Sequence, residues 1–304
     1  MAASYPELIK KWKYVALALS LLLVLFLGIF ALRSSTKPEL ILASENEEAD
    51  ANEAPADANG QSEQKQKAAK DKKALRPEHT HPAFGQRIKE RKRMVAGQIR
   101  ERGVREPNVL ASMRTVPRHG FVRSRDSRRA YRDHPIPIGL GQTISQPYIV
   151  AYMTEALELD PNYKVFEVGT GSGYQAAVCA EIVQEVYTVE IIEELAKSAK
   201  QRLKKLGYRN VFVKAADGYF GWAEKAPFDA IIITAVAGFV PPPLIEQLKP
   251  GGRMILPLGS PFGVQTLVLI TKDDKGRVRS KSLMPVRFVP MLGRVTETKR
   301  PPKK

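Results

Sequence analysis

The chain of 304 residues is predicted to be an α/β protein. Its core is a mostly parallel sheet doubly wound by helices, preceded by an N-terminal helical extension and a single transmembrane helix. Three observations predict this. Between residues 164 and 289, short apolar runs alternate with helical ones. The first of these runs passes straight into a glycine loop, Gly169-Thr-Gly171-Ser-Gly173. Near the N-terminus, residues 14–32 carry no charge.

The alternation runs as follows. Residues 164–168 form a buried strand and 174–183 a helix. Residues 186–189 form a strand, and 192–206 an amphipathic helix ended by Gly207. Strands follow at 211–214 and 229–234, the latter strongly apolar. A short helix at 243–248 is stopped by Pro250-Gly251-Gly252, and strands at 253–257, 266–271 and 283–289 complete the set. Parallel strands need a crossover between them, usually a helix, and this sequence supplies one repeatedly. Upstream, Met94, Ile99, Val104, Val109, Leu110 and Met113 fit short amphipathic helices separated by Gly103 and Pro107. Residues 133–147 read as loop, with Pro135, Pro137, Gly139 and Gly141.

Five segments result. Residues 1–37 hold the apolar span at about 14–32, whose nineteen residues suffice to cross a bilayer core. Residues 38–83 are a charged tether, first acidic and then basic, too poor in apolar side chains to offset the entropy of ordering. Residues 84–147 are the helical and loop extension, 148–293 the core domain and 294–304 a basic tail. Lys10, Lys11 and Lys13 before the span outnumber Arg33 and Lys37 after it, which places the domain outside by the positive-inside rule.

The net charge is +16, and Lys65 to Arg105 holds fourteen Lys/Arg against four Asp/Glu, a local excess of ten. Such a run attracts phosphate-bearing partners, but alone it is a weak motif, and a solvated linker and helix face is the reading preferred over nucleic acid. Cys179 is the one cysteine, so no intrachain disulfide forms. It lies in an apolar helical run with no activating base and reads as a small buried hydrophobe. The four histidines show no ligand spacing with it, and no metal is expected.

A parallel sheet of this class binds ligands beyond the carboxyl ends of its strands. The loop after residue 168 lies there, and its glycines let backbone approach a ligand. A dinucleotide fingerprint would place glycine at 174, where Tyr174 stands. Glu167, two residues before the first glycine, would repel a pyrophosphate but suits the sulfonium and ammonium of S-adenosylmethionine. Glu190, about twenty residues beyond Gly169, closes the second strand where a carboxylate accepts from ribose hydroxyls. Asp217 follows the third strand, placed to accept from an adenine amino group. Gly169, Gly171, Gly173, Glu167, Glu190 and Asp217 are therefore the expected cofactor residues, in a Rossmann-like sheet of the class I S-adenosylmethionine-dependent methyltransferases.

One family shares more than this loop. Ile138-Gly-Leu-Gly-Gln-Thr-Ile-Ser145-Gln-Pro147, Glu167 through Gln175, Ala226-Pro-Phe-Asp-Ala-Ile-Ile-Ile233, Gln247-Leu-Lys-Pro-Gly-Gly252 and Val286-Arg-Phe-Val-Pro290 together resemble the protein-L-isoaspartate O-methyltransferases, over about residues 86–293. The resemblance implies methylation of the free α-carboxylate of L-isoaspartyl residues in damaged proteins and peptides, whose ester then closes to a succinimide. It also implies that Ser145 is the active-site serine, that Thr143, Ile144 and Val289 lie beside the substrate, and that the catalytic domain is monomeric. An ionised carboxylate needs no general base, so a modest, positioning role suits Ser145. Ala216 departs from the glycine common before Asp-Gly. The apolar span and tether are absent from typical soluble members, which are cytoplasmic. Since the cofactor is made in the cytosol, its supply favours the cytoplasmic face, against the flanking charges. Two other readings stay open: a methyltransferase acting on RNA or a small molecule, and a membrane-tethered module that binds cofactor without catalysis.

Overall fold

The computed structural model describes residues 77–297. The predicted transmembrane segment 14–32 lies outside the described residues, as does the tether up to residue 76. Among the described residues no helix is long and apolar enough to cross a membrane.

Seven strands form the main sheet. In chain order these are β3 (Lys164–Val168), β4 (Glu185–Glu190), β5 (Val211–Ala215), β6 (Phe228–Ile233), β7 (Leu248–Leu258), β8 (Gln265–Lys272) and β9 (Val278–Val286). Their spatial order is β5-β4-β3-β6-β7-β8-β9. The first five run parallel, while β8 is antiparallel to both its neighbours. The chain leaves β3 in one direction to build β4 and β5, then returns to build β6 on the other side. That reversal opens a crevice at the carboxyl end of β3, where an open α/β sheet holds its ligand.

β3 shows why the strand pattern is legible. Val165 packs into the core on one face of the sheet, and Phe166 and Val168 into the core on the other. Phe166 stacks on Phe228 with ring centroids 4.9 Å apart. Only a strand covered on both sides has both sets of alternate residues buried. One cover is built from a π-helical stretch (Met94–Arg100), which continues α1 (Ile88–Arg93), and from α2 (Pro107–Thr115), α3 (Pro147–Ala156) and α4 (Tyr174–Ala180). The helix α5 (Glu193–Lys205) contributes Leu203 to the same core. The other cover includes α6 (Pro242–Gln247) and Val295 of the short α7 (Arg294–Glu297).

Several expected boundaries are corrected. The extension 84–147 and the domain 148–293 share one continuous hydrophobic core, running from Met94 and Met113 to Val165 and Ala230. The end of the predicted tether is folded onto the domain. His79 pairs with Glu181 at 2.9 Å, Glu78 with Arg209 at 2.9 Å, and Ala83 is buried. The predicted tail begins inside the fold, since Val295 is buried. The stretch read as loop holds a hairpin, β1 (Ile136–Gly139) with β2 (Gln142–Ile144). Its turn has left-handed backbone at Gly139, Leu140 and Gly141. Three consecutive residues in that region need the two glycines, which in sequence suggested only a break. The last strand starts at Val278 rather than 283, because its first half is exposed and polar and is held by backbone pairing to β8.

Candidate active site

The glycine loop turns immediately after β3. Gly169 has φ +94°, and a Cβ there would stand 2.6 Å from Thr234 Oγ1. That hydroxyl, just past the end of β6, reaches the carbonyls of Gly169 at 2.8 Å and Val168 at 3.1 Å. Glu190 ends β4 and holds the loop from the other side. Its Oε2 accepts from the Gly171 N–H at 2.8 Å and its Oε1 from the Ile192 N–H at 3.1 Å. Each carboxylate oxygen has two lone pairs, so both retain capacity toward a ligand hydroxyl. Beside it lies a cleft of about 540 Å³ including its mouth, lined by Gly169, Gly171, Glu190, Gly218 and Val289 among others. Gly173 is the N-cap of α4, with φ +85°.

Glu167 is buried on β3. Its Oε2 accepts from the Thr188 hydroxyl at 2.5 Å, and Thr188 in turn lies 2.6 Å from the Thr170 hydroxyl. Among the described residues its Oε1 has no hydrogen-bond partner. Burial pushes the Glu167 carboxyl up to about 8; the Thr188 hydrogen bond opposes this and the nearby Glu190 charge adds to it. A buried acid with one orphan oxygen is a site short of a donor or a cation. It lines a small cavity of about 280 Å³ with Ser145, Gly169 and Gly171. The donor set fits an S-adenosyl group, whose positive charges such an acid can meet.

Asp217 borders the cleft without lining it: its Oδ2 and the cleft-lining Ile191 both approach Gly293. Its Oδ1 accepts from the Tyr219 N–H at 2.9 Å and its Oδ2 from the Arg294 N–H at 2.7 Å. Gly218 lines the cleft in its place. Asp217 ties the carboxyl end of β5 to the start of α7.

On the other side, Ser145 follows β2 and is half-buried. Its carbonyl accepts from Arg118 Nη2 at 2.7 Å. Arg118 is fully buried, donates through Nε to the Ala130 carbonyl at 2.8 Å and lies over the Tyr174 ring at 4.7 Å. No acid forms an ion pair with it among the described residues, and burial lowers its pKa, opposed by the neighbouring Tyr174, Tyr131 and Asp133. A second clamp centres on Asp133, which receives Gln146 Nε2 at 2.7 Å, the Tyr148 N–H at 3.1 Å and Arg102 at 2.5 Å. Between them these contacts hold residues 145–148. Ser145 and Val289 face a third cavity, of about 840 Å³ with its mouth. Thr143 and Thr234 line all three cavities. Ile144 is buried and lines only the smallest. Thr234 and Arg118 were not singled out in the sequence. Thr234 could have been, as a polar residue closing an apolar strand at the ligand end; Arg118 carried no such signal.

Residues 89–296 match the family model for protein-L-isoaspartate(D-aspartate) O-methyltransferase. The chain belongs to that family. As a member of the isoaspartyl methyltransferases it is an enzyme, transferring methyl from S-adenosylmethionine to isoaspartyl residues in protein repair. It is 58% identical over 188 residues to protein-L-isoaspartate O-methyltransferase 2 of Syntrophobacter fumaroxidans, covering 62% of this chain and 76% of the relative. It is 57% identical over 205 residues to protein-L-isoaspartate O-methyltransferase 1 of Nitrosospira multiformis, covering 67% and 87%. Among solved structures, a protein-L-isoaspartate O-methyltransferase aligns with TM-score 0.63 at 28% identity, over 67% of each chain. A Plasmodium falciparum protein solved with S-adenosyl-L-homocysteine aligns with TM-score 0.58 at 24% identity, over 66% of this chain and 98% of that one, a likeness of fold.

Proposed function

We propose that the cofactor lies along the glycine loop, between Glu167 and Glu190, and that the isoaspartyl α-carboxylate enters from the largest cavity to meet it beside Thr143, Ser145 and Thr234. The observation that carries this is the shared lining. Thr143 and Thr234 stand at the junction of all three cavities, and Ser145 at the junction of two. When bound, S-adenosylmethionine supplies a methyl group on a sulfonium. The acceptor is ionised at neutral pH, so no residue need remove a proton. The acceptor carboxylate would need only to be held with one oxygen in line with that methyl group. The protein's task is alignment and exclusion of water. Ser145 supplies a hydroxyl that donates to the acceptor and aims it, with Ile144 and Val289 as apolar walls. Glu190 holds the loop and faces the ribose side of the cleft, and Glu167 offers its free oxygen to positive charge. Asp217 ties the end of β5 to the start of α7 through two backbone N–H groups and, like Glu190, keeps a second lone pair on each oxygen, so it can also accept from the adenine amino group.

The test is methyl transfer to an isoaspartyl peptide and to its aspartyl isomer. Labelling confined to the isoaspartyl peptide is expected; equal labelling of both would remove the repair reading.

The full chain, on the strength of residues 14–32, is further proposed to be anchored to a membrane by one span. Retention in the membrane pellet after alkaline extraction is expected, and release into the supernatant would overturn the anchor. A reporter fused to the C-terminus then reads the side.

A further inference from the structure

Among the described residues, eight large apolar side chains are exposed. Ile191, Phe220, Phe262 and Val264 follow the carboxyl ends of β4, β5 and β7; Ile191, with Leu292, lines the cofactor cleft, which leaves Phe220, Phe262 and Val264 outside it. Scattered exposed apolar residues need no explanation, but a set gathered at one rim does. Phe262 is the extreme case, 100% exposed.

Phe262 is presented by a built turn. The Gly263 N–H donates to the Ser260 carbonyl at 3.2 Å, and the Phe262 N–H to the Ser260 hydroxyl at 3.3 Å. Ser, Pro and Gly at the first, second and fourth positions suit such a turn, because Pro261 presets its backbone angle. Both ends of the loop are fixed to segments that line the cavities. The Gly259 N–H donates to the Ala237 carbonyl at 3.0 Å, close after Thr234. Gln265 brackets Phe288, donating to its carbonyl at 3.2 Å and accepting from its N–H at 2.6 Å. Phe288 and Val289 line the acceptor cavity. Phe262 is three residues from Gln265, so their Cα atoms lie within about 11 Å.

We propose that the turn Ser260–Gly263 is a docking lip for the acceptor polypeptide, with Phe262 packing on an apolar side chain that flanks the isoaspartyl residue. The proposal rests on the reading of the acceptor cavity given above. An isoaspartyl residue inside a chain enters with backbone leading away on both sides, and that backbone must cross the rim. Apolar side chains near it are free to reach Phe262 only where the substrate protein is locally unfolded. The lip thereby favours isoaspartyl sites in unfolded segments that expose apolar residues.

The test uses the full chain and two isoaspartyl peptides of equal length, one with leucine two residues from the isoaspartyl position and one with serine there. Each is run beside its aspartyl isomer. For the unaltered protein, kcat/KM should be about tenfold higher for the leucine peptide, through KM, as expected for burying much of one aromatic side chain. Phe262→Ser should bring that ratio to about one while leaving the serine peptide unchanged, and Phe262→Leu should restore most of it. A ratio that persists in Phe262→Ser, or an equal loss on both peptides, overturns the lip. So does an unchanged ratio accompanied by lost binding to lipid vesicles or lost self-association, which would assign Phe262 to another occupant. Absence of discrimination between isoaspartyl and aspartyl peptides in the unaltered protein would instead fault the reading of the reaction.

Discussion

The cofactor side and the acceptor side of the cleft are built by different means. On the cofactor side, Glu167 lies on the strand that runs into the glycine loop, and Glu190 reaches that loop from the end of the adjacent strand. Its geometry follows from the ends of neighbouring parallel strands, as it does generally in open α/β sheets. On the acceptor side, Ser145 is held through its carbonyl by Arg118, 27 residues earlier in the chain. Asp133 then fixes Gln146 and Tyr148 from 13 and 15 residues away. The comparison teaches that cofactor binding and acceptor alignment are separable, since they depend on different contacts.

The largest effect expected of this division is a pH dependence belonging to the cofactor side. The Glu167 carboxyl is raised by burial to about 8, above the ordinary glutamate value. The unfolded chain therefore loses this proton at lower pH than the folded protein does. Between about pH 4.5 and 8 the unfolded state binds fewer protons, so stability without cofactor falls as pH rises, by up to about 1.4 kcal/mol per unit. Glu167→Gln should flatten that slope in denaturant titrations across the window. Because positive charge favours the ionised acid, cofactor binding should tighten as pH rises toward 8 and release a proton below it. Calorimetry in buffers of different ionisation enthalpy reads this directly, and no proton release would break the assignment of Glu167.

A smaller effect belongs to the acceptor side. Arg118→Met keeps much of the side-chain volume but removes the hydrogen bonds to the Ala130 and Ser145 carbonyls. It should lower kcat by roughly 10- to 100-fold through misplacement of the Ser145 segment. Arg118→Lys should recover little, since an ammonium cannot reproduce the guanidinium fork. The cofactor dissociation constant, measured by calorimetry, should stay within about twofold if the two sides are separable. A parallel loss of cofactor affinity would show that Arg118 supports both.

The smallest effect is at Ser145 itself. Ser145→Ala deletes one hydroxyl donor worth about 1–1.5 kcal/mol and should slow turnover about tenfold. Cofactor affinity by equilibrium titration should not move. If affinity falls and turnover of the bound enzyme does not, the serine belongs to the cofactor side instead.

The sheet was legible in sequence for the same reason that the cofactor side is. β3 came out at its observed limits because burial on both faces leaves Val165, Phe166 and Val168 apolar around the single acid Glu167. Glu167 and Glu190 could be named because strand ends are where ligands bind. The β1–β2 hairpin was not legible, since its pairing depends on left-handed backbone that proline and glycine only hint at. Nor was the fate of Asp217. Its spacing matches an adenine acceptor, and the backbone N–H groups of Tyr219 and Arg294 each bond one of its oxygens as well. A carboxylate's position along the chain does not say which donors will surround it.

The doubly wound sheet, the glycine loop and the acids at its strand ends are written in local periodicity and in the polarity of residues at fixed offsets. Sequence motifs also carried the resemblance to the isoaspartyl methyltransferases. Folding in three dimensions is what unites the extension and the sheet in one core, leaves a Glu167 oxygen unpartnered among the described residues, and sets a buried arginine against the Ser145 loop. It also exposes the apolar rim ending in Phe262. Each depends on which distant groups meet or fail to meet a side chain, and no local pattern encodes that.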